Sequence, residues 1–238
     1  MPVDWKTTLL SGIFILQIFN SIAQSIPRSF YGLAYINSVP KYKISVSRQP
    51  EKKMIALSPI PGILLDLRYA SKNNFMGRCM YPENTRETYL RAPAYRALYS
   101  VVSDLRRRGL TVVIFDAYRP YSVTEAFWEL VKDARYAADP AKGSGHNRGV
   151  SVDLSLADLK SHQLLPMPTS FDHFSDSAHL GFMDPDSTKM QNRDLLNEVM
   201  KKYGFVPLPT EWWHFSWPKA ETFDVLDLSF KQLASLAD

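Results

Sequence analysis

Apolar positions along the chain fall into a few short, well-bounded runs. Between Pro93 and Gly109, Leu98, Val101, Val102 and Leu105 recur at helical spacing. Proline suits the first helical turn and glycine the C-terminal stop, so this stretch predicts an amphipathic helix. Thr111 to Phe115 is continuous and β-branched, as a buried strand would be, and it runs into Asp116-Ala117-Tyr118-Arg119-Pro120. Ser122 followed by Glu125 reads as a capping box that starts a second helix reaching about Ala134. From Val150 the pattern switches to alternation, with Val152, Leu154 and Leu156 on one face and Ser151, Asp153 and Ser155 on the other. Such a strand turns Asp153 away from its apolar side. A third helix is expected from Arg193 to Tyr203, closed by Gly204. Residues 24–53 are polar, with scattered Pro and Lys, and read as an extended lead-in to a domain over 54–238. Strands and helices interleave irregularly, which favours an α+β fold over a doubly wound sheet.

The first residues follow a different pattern. Lys6 precedes an apolar stretch from Leu9 to Ala23, and Ser21-Ile22-Ala23 puts small residues where a signal peptidase inspects them. A cationic start, an apolar run too short to span a bilayer comfortably and a small exit make a secretory signal the expectation for 1–23. A core helix or an uncleaved anchor is the alternative. After cleavage the chain would work outside the cytoplasm, periplasmic or secreted, with no stable membrane insertion.

Composition then narrows the chemistry. Of 238 residues, 45% are hydrophobic and 13% aromatic, enough for a packed core. A formal charge of +4, with no basic block beyond Arg106-Arg107-Arg108, argues against a nucleic-acid partner. The one cysteine, Cys79, closes no intramolecular disulfide and supplies no CxxC pair, and it reads as small core filler. Any metal must therefore be held mainly by His and carboxylates.

Two clusters carry such groups. Gly143-Ser144-Gly145-His146-Asn147-Arg148-Gly149 sets an imidazole among three glycines, a mobile backbone that can deliver it to a point fixed by the strand bearing Asp153. Zinc takes neutral imidazole nitrogens and carboxylate oxygens at about 2.0–2.2 Å in tetrahedral array, and catalytic sites keep the fourth position for water. The second cluster, Pro209 to Trp217, sets Glu211 and His214 among Trp212, Trp213, Phe215 and Trp217. Residues three apart face opposite sides of an ideal strand, and Pro207, Pro209 and Pro218 oppose a helix, so a bulge or twisted strand end is expected.

Together the clusters offer His146, Asp153 and His214 to one Zn²⁺ per chain, leaving a residual positive charge that lowers the pKa of bound water. Glu211 is the natural general base beside it, and Arg119 the best-placed cation to stabilise an oxyanion. Plainer readings exist. His146 could sit on the surface, Asp153 could pair with Arg148, Glu211 and His214 could be a bonded pair in an aromatic core, and Arg119 could simply bridge Asp116. His162, His173 and His179 lack any such context. No HExxH occurs, the glycine spacing is not that of a dinucleotide loop, and Lys142 breaks a GxSxG frame at Ser144.

The stretch Ser144-x-His146-x-x-Gly149-x-Ser151-x-Asp153, the Glu211-Trp212-Trp213-His214 box and the Asp116–Pro120 run resemble the VanX-type D-alanyl-D-alanine dipeptidases. Supporting segments follow in the same order: Asp66–Ala70, Asn74–Gly77, Tyr89–Arg91, Phe171-Asp172 and Asn192-Arg193. The similarity runs from about Ile63 to Trp217, with the tail beyond Phe223 extending past it. Ser151 stands where the family commonly has alanine, and Met167-Pro168 where Met-Gly is frequent. The resemblance implies the single-domain α+β fold of D,D-peptidases and the hedgehog signalling domain, a small, mostly antiparallel sheet with flanking helices. It implies a zinc dipeptidase acting on free D-Ala-D-Ala, a building block of the cell wall, with His146, Asp153 and His214 as ligands, Glu211 moving the proton and Arg119 stabilising the transition state. The alternatives are a D,D- or L,D-carboxypeptidase acting on longer stem peptides, and a zinc-bearing domain that binds without hydrolysis.

Overall fold

A computed structural model describes residues 26–133, 136–184 and 186–236. The leader expected over 1–23 and the helix end expected at Ala134 lie outside them. In chain order the elements are α1 (Val39–Arg48), β1 (Met54–Ala56), β2 (Leu64–Leu65), β3 (Tyr89–Arg91), α2 (Ala92–Arg106), β4 (Leu110–Asp116), α3 (Tyr121–Val131), β5 (Ser151–Asp158), α4 (Ser187–Lys202), β6 (Val206–Leu208), β7 (Glu211–Ser216) and α5 (Phe230–Ala234). Strands β2, β4, β5, β7 and β6 lie side by side in that order, and only the β2–β4 pairing is parallel. β1 and β3 form a separate antiparallel pair. This is the α+β architecture expected, a small, mostly antiparallel sheet with helices around it. No helix among the described residues is long and apolar enough to cross a membrane.

The core follows the hydrophobic pattern. Leu98, Val101, Val102 and Leu105 of α2 join Val112 and Ile114 of β4, Val152, Leu154 and Leu156 of β5, and Leu196, Val199 and Met200 of α4 in one buried cluster. Cutting one of these leucines back to alanine would cost about 2–5 kcal/mol. The other face of β5, with Ser151, Asp153 and Ser155, is buried as well. Solvent reaches neither side of that strand, so its polar side chains need internal partners.

Several boundaries differ from expectation, each for a local reason. The segment read as an extended lead-in contains α1, with Pro40 in its first turn. Tyr42 is its one buried residue, so no apolar stripe marks it in the sequence. Helix α4 starts at Ser187, well before Arg193, because Asp186 accepts from the amides of Thr188 and Lys189 at 2.9 and 3.4 Å. Its first turns bury nothing before Arg193, which is why periodicity is silent there. Helix α3 starts at Tyr121, not at a Ser122 capping box: the Ser122 amide and hydroxyl donate instead to the Asp227 carboxylate at 3.0 and 2.7 Å. Cys79 is only half-buried, near the Ala70 carbonyl and Glu83, rather than core filler.

The C-terminal tail is part of the packed structure. Leu226, Leu228, Phe230 and Leu233 lie in a second buried cluster with Tyr42, Tyr81 and Tyr118. The Leu226 amide donates to the Asn147 carbonyl at 2.9 Å, so the tail braces the loop that carries His146.

Candidate metal centre and cavity

Pairing between strands builds most of the site. In the β5–β7 ladder Asp153 lies directly opposite His214, and Ser151 opposite Ser216. Asp116, at the end of β4, faces Asp153 from the other side, after a register shift between Ile114 and Asp116. The β6–β7 pairing jumps from Pro207↔Phe215 to Leu208↔Glu211, an irregularity that answers the expected bulge. It lets Glu211 and His214, three apart, line one cavity.

His146 arrives from the loop before β5, where it is buried. Its carbonyl accepts from the Arg119 and Gly149 amides at 3.2 and 3.0 Å. Asn147, fully buried, donates from Nδ2 to the Arg119 carbonyl and the Thr124 hydroxyl at 2.9 and 2.8 Å, and its Oδ1 accepts from the Ser144 amide. The flanking glycines serve close packing rather than mobility. A Cβ on Gly149, whose φ is +68°, would meet Met54 at 2.6 Å, and one on Gly145 would lie 1.9 Å from the Ser151 hydroxyl.

Three potential ligand atoms converge. His146 Nε2 lies 3.2 Å from His214 Nδ1 and 3.4 Å from Asp153 Oδ2, and His214 Nδ1 lies 2.9 Å from Asp153 Oδ1. Atoms held about 2.0–2.1 Å from a tetrahedral centre are about 3.3 Å apart, and the two imidazole nitrogens, with one or the other Asp153 oxygen, approach that spacing. The tautomers suit this. His146 Nδ1 donates to the Ala117 carbonyl at 2.7 Å and His214 Nε2 contacts the Ser216 hydroxyl at 3.1 Å, which leaves Nε2 of the first and Nδ1 of the second to face inward. Two imidazole lone pairs and a carboxylate aimed at one point form a donor set that a divalent cation satisfies.

Charges around this point are strongly shifted. Burial alone would lift the Asp153 carboxyl, but His146 and then His214 hold it below the usual carboxylate range. Burial pushes the Glu211 carboxyl up against the pull of His214, whose Nδ1 is 4.0 Å from Glu211 Oε2. Arg119 serves both readings of the sequence. Its Nε and Nη2 fork onto Asp116 Oδ2 at 2.9 and 2.7 Å, and Nη2 also stands 3.9 Å from Asp153 Oδ2, on the cavity wall. Phe127 lies 4.8 Å from the guanidinium and Tyr69 5.3 Å. The Tyr81 hydroxyl donates to Asp116 Oδ1 at 2.6 Å, completing the support behind Arg119.

The cavity these groups line has a volume of 230 Å³. One acidic residue in its wall, Asp172, is marked by no ligand or base pattern in the sequence. Asp172, in a left-handed turn at φ +59°, takes the Tyr69 hydroxyl on its two oxygens at 3.1 and 3.2 Å. Burial, reinforced by the charge of Asp153, lifts its carboxyl well above the ordinary range. Its sequence signal is the Phe171-Asp172 segment, which carries resemblance without indicating a role. His162 and His173 are exposed and His179 pairs with Asp176 at 3.7 Å, so none of them joins the three donors.

Comparison with known proteins follows the same lines. The family Peptidase M15, D-Ala-D-Ala dipeptidase, matches residues 52–234. That span takes in the tail through α5, which the sequence motifs alone had left outside. The D-alanyl-D-alanine dipeptidase of Escherichia coli (strain K12) is 34% identical over 166 residues, covering 70% of this chain and 84% of that protein. The D-alanyl-D-alanine dipeptidases of Enterococcus faecium and Streptomyces coelicolor are 26% and 28% identical, each over 66% of this chain and 86% and 87% of their own lengths. With a family match over most of its length and a relative at 34% identity, the chain belongs to the D-Ala-D-Ala dipeptidase family, Peptidase M15.

Proposed function

We propose that this protein is an exported, zinc-dependent dipeptidase that hydrolyses D-alanyl-D-alanine to two D-alanines. The observation that carries the reading is the convergence of three donors, His146, Asp153 and His214, with the half-buried Glu211 carboxylate and the Arg119 guanidinium on the same cavity wall. His146, Asp153 and His214 would hold the ion. Zinc there would supply Lewis-acid chemistry, polarising a carbonyl and lowering the pKa of water toward about 7.

The chain's own residues do the rest. Glu211, lifted in pKa by burial, takes a proton from the attacking water on its carboxylate and delivers it to the departing amine. Arg119 keeps its charge at any working pH, because the groups around it, Asp116 foremost with Tyr69, Tyr81 and Asp153, together outweigh the cost of burial, and its Nη2 stabilises the oxygen on which negative charge builds. Asp172 is placed to receive the substrate's ammonium, which would restore the carboxylate that burial otherwise disfavours. One anionic and one cationic contact in 230 Å³ select a free dipeptide over a longer chain.

The test is to incubate the protein with D-Ala-D-Ala, L-Ala-L-Ala and a muropeptide ending in D-Ala-D-Ala. Cleavage of D-Ala-D-Ala alone is the expected result. Cleavage of the muropeptide alone would make the protein a carboxypeptidase, and no cleavage with zinc present would make it a binding domain. Export rests on the 1–23 pattern, and N-terminal sequencing of the protein recovered outside the cytoplasm should begin at Gln24.

A further inference from the structure

Behind His214, on the side away from the cavity, the ladder carries two hydroxyls that the reaction does not use. Ser216 follows His214 by two residues on β7 and shares its face, while Ser151 lies opposite Ser216 just as Asp153 lies opposite His214. Ser216 Oγ is 3.1 Å from His214 Nε2 and 2.6 Å from Ser151 Oγ. With Nδ1 turned toward Asp153 and His146, the ring proton of a neutral His214 sits on Nε2 and must go to Ser216. The Ser216 proton is then left to donate to Ser151, and each bond in such a chain polarises the next.

We infer that Ser216 and Ser151 are positioning residues, a hydrogen-bond relay that fixes the His214 ring and its tautomer for metal binding. Three features support this. Ser151 is fully buried, where an unpaired hydroxyl would be a liability, and its side-chain partner is Ser216. Gly145 is shaped around it, since a Cβ there would lie 1.9 Å from Ser151 Oγ and 3.4 Å from Ser216 Oγ. The other imidazole is anchored in the same manner, by His146 Nδ1 donating to Ala117. Groups that hold the far nitrogen of a ligating histidine set its orientation and basicity, and their loss typically weakens metal binding about 10–100-fold.

The competing explanation is a cross-strand serine pair that only stabilises the sheet. Zinc affinity of the full chain, read by competition with a chromophoric chelator, separates the two when paired with melting of the metal-free protein. Ser216→Ala should weaken zinc about 10–100-fold, while metal-free melting falls only by the modest amount that an unpaired Ser151 hydroxyl costs. Ser151→Ala should weaken it by a smaller factor, and the double variant should be no weaker than Ser216→Ala, because Ser151 acts through Ser216. Ser216→Thr keeps the hydroxyl and should bind as the parent does. The relay is overturned if Ser216→Ala binds zinc as tightly as the parent, if the two losses multiply in the double variant, or if melting falls while affinity does not. Should Ser216→Ala not fold, Ser151→Ala at parent affinity overturns it equally. The inference rests on the zinc reading: a parent chain that takes up no zinc overturns that reading and the relay with it, whereas zinc uptake unchanged by Ser216→Ala overturns the relay alone.

Discussion

Glu211 and His214 lie three residues apart on one strand, and the account gives them separable jobs. Glu211→Gln keeps the side chain's size and removes its ability to take a proton, so turnover should fall about 10²–10⁴-fold with zinc content unchanged. His214→Ala removes a ligand, and zinc should be lost with activity. Metal analysis of the two purified variants checks this, and equal zinc loss in both would contradict the division. Arg119 calls for a gentler substitution. Asp116 is fully buried, and stripping away its cation would leave a charge that costs about 3–5 kcal/mol. Arg119→Lys keeps that charge but not the fork onto Asp116, so kcat should fall by more than KM rises. An unchanged kcat would reduce Arg119 to a partner of Asp116. The five residues proposed for the reaction stand out in the sequence by their glycine-rich and aromatic frames, each with a plainer reading when taken alone, and it is the fold that brings them to one cavity wall. Asp172 does not stand out, since its place in the wall depends on a left-handed turn and on Tyr69, 103 residues away.

At the scale of elements, β4, β5, α2 and the switch to alternation at Val150 were readable because their apolar side chains are buried in register. α1 and the start of α4 were not, because α1 is held by a few long-range contacts and the start of α4 by the Asp186 cap rather than by a stripe. One bond that ties α1 down runs to Asp224, whose Oδ2 accepts from the Ser45 hydroxyl of α1 and from the Lys52 ammonium just beyond it at 2.5 and 2.9 Å. Burial would raise this carboxyl, but Ser45 and Lys52 outweigh it and hold the pKa below the ordinary value of 3.8. A depressed folded-state pKa adds stability above the unfolded value and loses it as pH falls through the folded one. Asp224→Asn should therefore cost about 1–2 kcal/mol at neutral pH, as a charge-assisted bond does. Urea titrations should show that gap closing as pH drops below the carboxylate range. A gap that persists in acid would mean that the amide disturbs packing rather than an ionic contact.

Over the whole molecule, one strand divides the labour. β5 gives Val152, Leu154 and Leu156 to the core between sheet and helices, and gives Ser151 and Asp153 to the site. The second cluster, built from α1, the tyrosines and the C-terminal tail, closes behind the His146 loop, so the tail that extends past the sequence motifs is structural. That arrangement accounts for a family match running through Ala234 rather than stopping near Trp217. On the proposed reading, activity counts occupied metal sites. The most direct test is to strip the protein with a chelator, return zinc in measured increments and follow D-alanine released from D-Ala-D-Ala. Release should be absent in the stripped protein, rise in proportion to added zinc and break at one ion per chain. Undiminished release without metal, or none at one equivalent, would contradict the account.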